Sequence, residues 1–334
     1  MDALVRCLLL ALLAAMSTAS RAQDFSSLGA QNLELCSPSP ACEQIAGVRV
    51  LGVVKLPTRL HKGMRLGGLS GLAWDDDDGV LYAVSDQGAL FGLQPVFQKE
   101  RLVDVSLSSA VPLLDPLTHK PVKWRRSDSE GLDILHARNG RKGDAELVVS
   151  FEGDPRIARY RPDGRFIADV PLSKSLRNVK NYPYNKMLEA VCIHPREGIL
   201  TAPEELLNPR HDATRLYRTD GRSWRIPAGR GGIVALECLP DGDILMLERE
   251  LMALSLRWVI TLRRLHLPAS KPYDSMLSAQ TIAVLDSAEH LLIDNFEGLT
   301  RHRGNRFFMV SDDNNVFLQQ TLLMYFELLP ASSP

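Results

Sequence analysis

The chain has 334 residues, of which 45% are hydrophobic and 24% charged, and its formal net charge is −1. This length fits one large domain or two small ones, and the composition is that of a globular protein rather than a disordered one. The near-neutral total gives no argument for binding nucleic acid or an anionic membrane surface, and the oligomeric state is left open.

The N-terminus predicts a signal peptide over residues 1–22. Arg6 is followed by an apolar run and then by small residues, and cleavage is expected after Ala22. The apolar run is short for a membrane span, and no later segment reaches the length of one. We therefore expect an exported protein, periplasmic or extracellular, with no transmembrane segment after cleavage. An uncleaved anchor is the alternative.

The rest of the chain predicts a Pro/Ser-containing segment over residues 23–44 and a single domain over 45–330. Four cysteines remain after cleavage, an even number that permits disulfides in an exported chain. Cys36 and Cys42 lie close together in CSPSPAC and are candidates for a local bridge. Cys192 and Cys238 lie in apolar, strand-like runs and are interpreted as buried thiols rather than as metal ligands or a nucleophile. Whether they form a disulfide is left open.

Five segments of the domain share one plan. A small or acidic residue opens a short apolar run, a polar turn with glycine follows, and a second apolar run ends on a carboxylate. This is the pattern of a β-hairpin, since the runs are β-rich and the turns contain the residues that accept positive φ. The segments are 69–88, 129–153, 188–205, 233–250 and 296–314.

The spacing of these hairpins predicts the architecture. The opening residues fall at 70, 130, 189, 234 and 297, and intervals of this size hold about four strands each. Because helical periodicity is poor throughout, we predict an all-β β-propeller of five four-stranded blades. A sixth, degenerate blade within 252–292 is an open alternative. The runs VRVLGVVKL and TLLMYFELL are expected to pair and close the ring.

The hairpins place acidic residues at their open ends. Residues equidistant from a hairpin turn lie opposite each other, which pairs the opening and closing residue of each segment. The expected pairs are Ser70 with Asp86, Glu130 with Glu152, Glu189 with Glu204, Val234 with Glu248, and Glu297 with Asp312. If the hairpins are equivalent strands of successive blades, all these ends share one mouth of the central channel.

A ring of like charges predicts a cation site. Such charges are costly unless something neutralises them, and Ca²⁺ accepts six to eight oxygen ligands. Simple solvation of the carboxylates is the alternative. Glu130, Glu189 and Glu297 are also the candidate catalytic residues. The expected metal ligands are Asp86, Glu130, Glu152, Glu189, Glu204, Glu248, Glu297 and Asp312.

Other polar residues are candidates for substrate binding. Arg156 and Arg249 follow predicted ligands and could hold a phosphate or carboxylate, although ion pairs to the acidic ring are an equal alternative. Tyr184 and Asn185 lie in a Pro-containing loop that is expected to overhang the mouth. The acidic run at 75–78 falls on a turn at the opposite face and is expected to be a solvated loop.

The motifs GGLSGLAWD, SEGLDI, NKMLEAV, ILMLER and DNFEGLTRHRGNRFFMVSDDN resemble the phytase-like family of secreted bacterial proteins, known as "esterase-like activity of phytase". The resemblance covers residues 48–328. It implies a β-propeller related to calcium-dependent phytases, whose calcium ions activate water and hold phosphates in an acidic channel. Val234 and Ser70 depart from the family pattern, and either change could remove a ligand.

Three functions follow from these patterns. The first is a Ca²⁺-dependent hydrolase of phosphate or carboxylate esters that acts on a small-molecule ester or anionic substrate. The second is a gluconolactonase-type hydrolase of lactones. The third is a non-catalytic ligand-binding propeller, because the fold alone does not decide function.

Overall fold

The computed structural model describes residues 26–36, 43–178, 180, 186–205, 213–252 and 254–330. The predicted signal peptide lies outside these residues. Among these residues almost all regular structure is β-strand, and 3₁₀ turns occur at Trp124–Arg126 and Ser287–Glu289. Within the described part of the chain, no helix has the length and apolar character needed to cross a bilayer.

The first ten strands are β1 (Ser26–Ser27), β2 (Gln31–Leu33), β3 (Gln44–Ile45), β4 (Val48–Lys55), β5 (Leu60–His61), β6 (Met64–Arg65), β7 (Leu69–Asp75), β8 (Val80–Ser85), β9 (Ala89–Gln98) and β10 (Arg101–Pro112). The next eight are β11 (Ser129–Leu135), β12 (Glu146–Phe151), β13 (Arg156–Tyr160), β14 (Phe166–Val170), β15 (Leu188–His194), β16 (Gly198–Pro203), β17 (Ala213–Arg218) and β18 (Ser223–Pro227). The last seven are β19 (Gly232–Cys238), β20 (Ile244–Met252), β21 (Arg257–His266), β22 (Ser278–Asp286), β23 (Phe296–Arg303), β24 (Arg306–Ser311) and β25 (Leu322–Leu328).

These strands form a five-bladed β-propeller with four-stranded antiparallel blades, as the hairpin pattern predicts. Blade 1 is β7–β10, blade 2 is β11–β14, blade 3 is β15–β18, and blade 4 is β19–β22. Blade 5 is β23, β24, β25 and β4, so the N-terminal strand β4 pairs with the C-terminal strand β25. The short strands β1, β2 and β3 extend the outer edges of blades 1 and 5.

Residues 252–292, where a sixth blade was an alternative, supply β21 and β22 of blade 4. The described residues form no further four-stranded sheet. All five predicted hairpins are present as the first two strands of a blade. The prediction of hairpins from β-rich runs and glycine turns is therefore confirmed.

The inner strands β7, β11, β15, β19 and β23 are neighbours in that order, and β23 lies beside β7. Their side chains are buried on both faces because each strand packs between two others. The axis between them is almost filled, since the cavity that remains measures ≈ 10 Å³. A ligand therefore has room at the ends of the axis, not along it.

One disulfide crosses between two blades. Cys192 on β15 and Cys238 on β19 are bonded, with their Cα atoms 5.5 Å apart. The interpretation of these residues as buried thiols is therefore wrong. Facing positions on neighbouring inner strands bring the two side chains together, which neither local sequence reveals. Cys42, the candidate partner of Cys36, lies outside the described residues.

Candidate metal centre at the acidic mouth

Each inner strand begins at the same end of the propeller, which we call the mouth. Close to that beginning, every inner strand breaks register with its neighbour through a β-bulge. The breaks are Leu69/Gly71, Ser129/Leu132, Leu188/Ala190, Ile233/Ala235 and Phe296/Gly298. The residues left out of the pairing include the opening positions of the repeat, Ser70, Glu130, Glu189, Val234 and Glu297. A bulge re-aims a side chain, so these positions can face the axis at the mouth.

The bulge also shifts the partner of each closing acid. The backbone N–H of Glu152 donates to the carbonyl of Asp128 at 2.9 Å, and that of Asp312 donates to Asn295 at 2.9 Å. The prediction that opening and closing residues stand directly opposite each other is therefore wrong. The bulge adds a residue to the inner strand, so the closing acid pairs with a residue that lies closer to the start of that strand. A hairpin midpoint calculated from residue numbers does not include this extra residue.

This displacement changes which residue of blade 4 belongs to the mouth. Arg249 pairs with Gly232, the position equivalent to Asp128 in blade 2, whereas Glu248 pairs with Ile233. Successive side chains of a strand point to opposite faces, so Arg249 takes the place of the closing acid. Glu248 instead bonds Arg263 at 2.6 Å, so the structure does not bring it together with the other predicted ligands.

Arg249 pairs with carboxylates of two neighbouring blades. Its guanidinium lies 3.0 Å from Glu204 of blade 3, forms a short ion pair with Glu297 of blade 5, and donates to Asn295 at 2.8 Å. Asn295 in turn donates to Glu297 at 2.8 Å. Burial lowers the pKa of Arg249, but Glu297, Glu204 and Glu189 raise it above its ordinary value overall. The guanidinium is thus a fixed counter-ion for this half of the mouth.

The other half of the mouth holds a compact carboxylate cluster on blade 2. Asp128, Glu130 and Glu152 each offer an oxygen, and these three oxygens lie within 4.8 Å of one another. Glu130 and Glu152 are buried, while Asp128 is half-buried. Asp128 was missed by the sequence reasoning. Counting the bulged residue in register would have placed it across from Glu152.

Two further carboxylates near this cluster have oxygens without partners. Glu189 Oε2 and Asp86 Oδ1 are buried and accept no hydrogen bond among the described residues. An unpaired buried oxygen is costly unless an ion or water satisfies it. The oxygen-only donor set therefore fits a hard divalent cation such as Ca²⁺ or Mg²⁺.

Burial and mutual repulsion raise the pKa values across the mouth. Burial raises the pKa of Glu130 and of Glu189 well above the ordinary value, and neighbouring glutamates add to both shifts. Burial raises the pKa of Asp86 to about 7, with Asp312 and Asp128 contributing. Burial also raises the pKa of Glu152 to about 7, where Asp128 contributes. Asp86 and Glu152 therefore keep part of their protons near neutral pH when no cation is present.

Two more mouth acids follow the same trend. Burial raises the pKa of Glu297 to about 8, against the opposing effect of Arg249. Burial likewise raises the pKa of Asp312 to about 6.

Lys186 gives Glu204 a second ion pair, with Nζ 2.5 Å from Oε1. The mouth therefore combines eight carboxylates with two basic side chains, and its charge is balanced only on the blade 3 to blade 5 side.

The predicted substrate-binding residues have mixed outcomes. Arg156 stacks on the Phe151 ring with its guanidinium carbon 3.6 Å from the centroid, and it donates to the carbonyls of Asp154 and Arg126. It is therefore held by blade 2 and not by the carboxylate cluster. Tyr184 and Asn185 lie outside the described residues.

The opposite end of the axis is also structured. Asp75 is buried, and its carboxylate accepts from the backbone N–H groups of Asp77 and Asp78, while Asp77 accepts from Asn139 and Gly140 of blade 2. The prediction of a solvated acidic loop therefore holds for the exposed Asp76 and is wrong for the buried Asp75. This turn is ordered because it joins blades 1 and 2.

A cavity of ≈ 360 Å³ lies at this far end, and its lining includes Asp133, Glu237, Arg138 and Arg301. Burial raises the pKa of Asp133 to about 6 and that of Glu237 to about 8. The two arginines balance the two acids, so this cavity lacks the uncompensated charge of the mouth.

Comparison with known proteins gives both structural and family matches. A gluconolactonase from Xanthomonas campestris is 16% identical, with a TM-score of 0.40, over 90% of this chain and 100% of that one. The Cps50 (Swd1) β-propeller domain of Myceliophteria thermophila is 11% identical, with a TM-score of 0.38, over 88% of this chain and 99% of that one. A search of curated proteins found no match. The phytase-like family, described as "esterase-like activity of phytase", matches residues 64–315, more than half of the chain. The protein therefore belongs to the phytase-like family.

Proposed function

We propose that this protein is an exported, Ca²⁺-dependent hydrolase of phosphate or carboxylate esters that acts at the mouth of the propeller. The observation that carries the proposal is the cluster of Asp128, Glu130 and Glu152, whose oxygens lie within 4.8 Å of one another. Membership of the phytase-like family supports the reaction class. A small anionic or ester substrate remains the expected partner.

The proposed cation ligands lie on the uncompensated side of the mouth. Asp128, Glu130 and Glu152 would hold a first cation, and the unpaired oxygens of Asp86 and Glu189 make these residues the next candidates. A bound divalent cation supplies Lewis-acid activation of an ester and of water. Glu204 and Asp312, also predicted as ligands, complete the ring. Glu248 is not among the proposed ligands, because its carboxylate forms an ion pair with Arg263.

The protein's own residues would position the reactants and move the proton. The pKa values of Glu130 and Glu189 are raised well above the ordinary value, so each would be a stronger base than an ordinary carboxylate once a bound cation has displaced its proton. Either would then accept the proton of an attacking water. Glu297 is held in place by Arg249 and Asn295 and is the third candidate catalytic residue. The N–H groups of Arg249 already bond Glu204, Glu297 and Asn295. Arg249 would therefore bind a substrate anion only if the anion replaced one of these three partners.

Export is part of the same proposal. Residues 1–22 have the pattern of a signal peptide. After its removal, the mature chain would consist of a short N-terminal segment over residues 23–44 and the domain over residues 45–330. The bond between Cys192 and Cys238 is consistent with an oxidising compartment outside the cytosol.

The metal is tested first by stability. A ligand that binds only the native state stabilises it by about 2.7 kcal/mol at one hundred times its dissociation constant. We expect EDTA-dialysed protein to melt at a higher temperature when Ca²⁺ is added at millimolar concentration. Glu152→Gln should lose most of this shift, whereas Glu248→Gln, with its carboxylate on Arg263, should keep it. No shift in the wild-type protein would contradict the metal site.

Activity separates the three functional hypotheses. A panel of chromogenic phosphomonoesters, carboxylate esters and lactones is assayed with Ca²⁺ and with EDTA. Turnover of the first two classes that disappears with EDTA supports the proposal, and turnover that survives EDTA contradicts it. Turnover of lactones alone supports a lactone hydrolase. A Ca²⁺-dependent melting shift without turnover supports a binding module.

A further inference from the structure

The cavity at the end of the axis opposite the mouth, which we call the far cavity, is built by all five blades. Its volume of ≈ 360 Å³ falls within the range of small-molecule sites, about 300–1,000 Å³. Each inner strand contributes residues that follow its buried central positions. Examples are Trp74 of blade 1, Asp133 of blade 2, Ile193 of blade 3, Glu237 of blade 4 and Thr300 of blade 5. The far cavity therefore begins where the close packing along the axis ends.

Two carboxylates form one part of its lining. Asp133 and Glu237 occupy equivalent positions of blades 2 and 4 and are both half-buried. The Asp133 carboxylate accepts from the backbone N–H groups of Ile134 at 2.7 Å and Ile193 at 2.6 Å. Glu237 accepts from the backbone N–H of Arg301. Burial raises the pKa of Glu237, and the charge of Asp133 raises it further, so the two carboxylates are close enough to repel each other.

Two arginines form the other charged part of the lining. Arg138 lies in the turn after β11 and is exposed, whereas Arg301 lies on β23 and is half-buried. Arg138 donates from Nη2 to the carbonyls of Arg301 and His302, at 3.3 and 2.8 Å. Arg301 donates from Nε to the Gly304 carbonyl at 2.8 Å. A guanidinium has more N–H groups than these bonds use, so each arginine keeps donors for a ligand.

The acids and the arginines are held in place by backbone groups and not by each other. Among the described residues, no ion pair joins Asp133 or Glu237 to either arginine. Burial raises the pKa of both acids, and Arg138 opposes both shifts, so the charges act on one another across the cavity. The far cavity is therefore neutral in sum, but its opposite charges are separated.

This separation favours a ligand that carries both charges. A metal ion or a simple amine would be attracted by the two acids and repelled by the two arginines, and a simple anion would meet the reverse. A molecule with both charges can satisfy the two groups at once. Ile134, Ile193 and Leu239 also line the cavity, and such apolar walls suit the hydrocarbon part of a ligand between its charged ends.

We propose that the far cavity is a second binding site, which takes a small zwitterion with an ammonium group at one end and a carboxylate or phosphate at the other. The ammonium would lie between Asp133 and Glu237, and the anionic end would bond Arg138 and Arg301. The site is separate from the mouth, since the almost filled axis lies between them. The proposal does not depend on the hydrolase activity, and it is tested without measuring turnover.

The test measures the melting temperature of the full chain in EDTA, with β-alanine, γ-aminobutyrate and phosphoethanolamine as probes. Butylamine and butyrate are the singly charged analogues of γ-aminobutyrate. We expect at least one zwitterion to raise the melting temperature by about 3 °C or more at saturating concentration, and each analogue to give a clearly smaller shift. The response to phosphoethanolamine against that to β-alanine identifies the anionic group. No shift with any zwitterion, or an equal shift with butylamine, would overturn the proposal.

Matched variants locate the site. Isothermal titration calorimetry with the most effective zwitterion should show binding at least about tenfold weaker for Glu237→Gln, which loses a charged partner. Arg138→Gln should weaken binding from the other end, and it should fold normally because Arg138 is exposed. Glu152→Gln, the same substitution at the mouth, is the control and should bind the zwitterion as the wild type does.

Circular dichroism checks that all three variants fold. Unchanged affinity in Glu237→Gln or in Arg138→Gln would contradict the site, as would an equal loss of affinity in Glu152→Gln.

Discussion

Arg249 shows how a single residue divides the acidic mouth. It occupies the closing position that holds an acid in the other four blades, and the opening position of the same blade is Val234. Blade 4 therefore contributes a cation and no carboxylate. Because Arg249 pairs with Glu204 and Glu297, the cation sites proposed above are confined to the side of blades 1, 2 and 3.

Removal of this guanidinium tests its role as a counter-ion. We expect Arg249→Met to lower the free energy of unfolding by about 3–5 kcal/mol at pH 7.5, because it leaves the buried Glu297 without a cationic partner and leaves Glu204 with Lys186 alone. Urea denaturation measures the change. Arg257→Met is the control, since Arg257 pairs with Asp286 near the surface and should cost about 1 kcal/mol or less. Equal losses in the two variants would contradict a special role for Arg249.

The raised pKa values at the mouth predict a pH dependence for the metal-free protein. The folded state keeps protons on Asp86 and Glu152 up to about pH 7, whereas the unfolded chain releases them near pH 4. The folded state therefore binds more protons between these values, and stability falls as the pH rises through this window. We expect a melting temperature about 5 °C lower at pH 8 than at pH 5 in EDTA.

Two controls define this pH effect. Glu152→Gln should flatten the dependence, because one titrating group is removed. Saturating Ca²⁺ should also flatten it, because the cation compensates the charge. A melting temperature that rises from pH 5 to pH 8 in EDTA would have the wrong sign for buried, mutually repelling acids.

At this scale the sequence predicted most of the mouth and missed its details. Seven of the eight predicted ligands belong to the mouth, because the repeat marks both ends of each hairpin. The prediction was wrong for Glu248 because the bulged residue shifts the register by one position. Arg249 therefore occupies the closing position of blade 4 in place of Glu248. The same shift concealed Asp128.

The β-bulge at the start of each inner strand is the element that builds the site. It lifts the opening residue out of the pairing, and the next residue is small in every blade: Gly71, Gly131, Ala190, Ala235 and Gly298. A Cβ on Gly131 would lie 2.8 Å from the Val191 nitrogen and 2.9 Å from the Glu189 carbonyl. The small residue is required because neighbouring inner strands approach too closely at this level.

Gly131→Ala tests this packing. We expect a loss of about 1–3 kcal/mol in the free energy of unfolding, because a backbone contact cannot move aside as a side chain can. It should also weaken the Ca²⁺-dependent melting shift, since the displaced backbone carries Glu130. Ala190→Gly, at the equivalent position of blade 3, should cost about 1 kcal/mol or less and leave the shift unchanged. Wild-type stability in Gly131→Ala would show that the strands can separate at no cost.

For the whole molecule, the repeat made the blade count predictable, whereas contacts between blades were not. Hairpins are local, so their runs and turns are visible in sequence. The bond between Cys192 and Cys238 joins blades 3 and 4, and only the ring arrangement brings these strands side by side. The family resemblance supported the fold independently of this reasoning.

The disulfide predicts a global effect on stability. It closes a loop with a sequence separation of 46, for which the chain-entropy estimate is about 4 kcal/mol. We expect Cys192→Ala combined with Cys238→Ala to lose about 2–4 kcal/mol in urea denaturation. The oxidised wild-type protein treated with a reductant should approach the same value. A double variant as stable as the wild type would assign the bond no role in stability.

The pairing of β4 with β25 sets the order in which the molecule can fold. Blade 5 takes one strand from each end of the chain, so its sheet cannot form until the last strand has been synthesised. Blades 1 to 4 are each contiguous in sequence and can form earlier, but β4 then waits with its edge exposed. Contacts of such long sequence separation slow the final step of folding. If the chain is exported as proposed above, this delay would be an advantage, because the last blade would be completed only after the C-terminal strand has crossed the membrane.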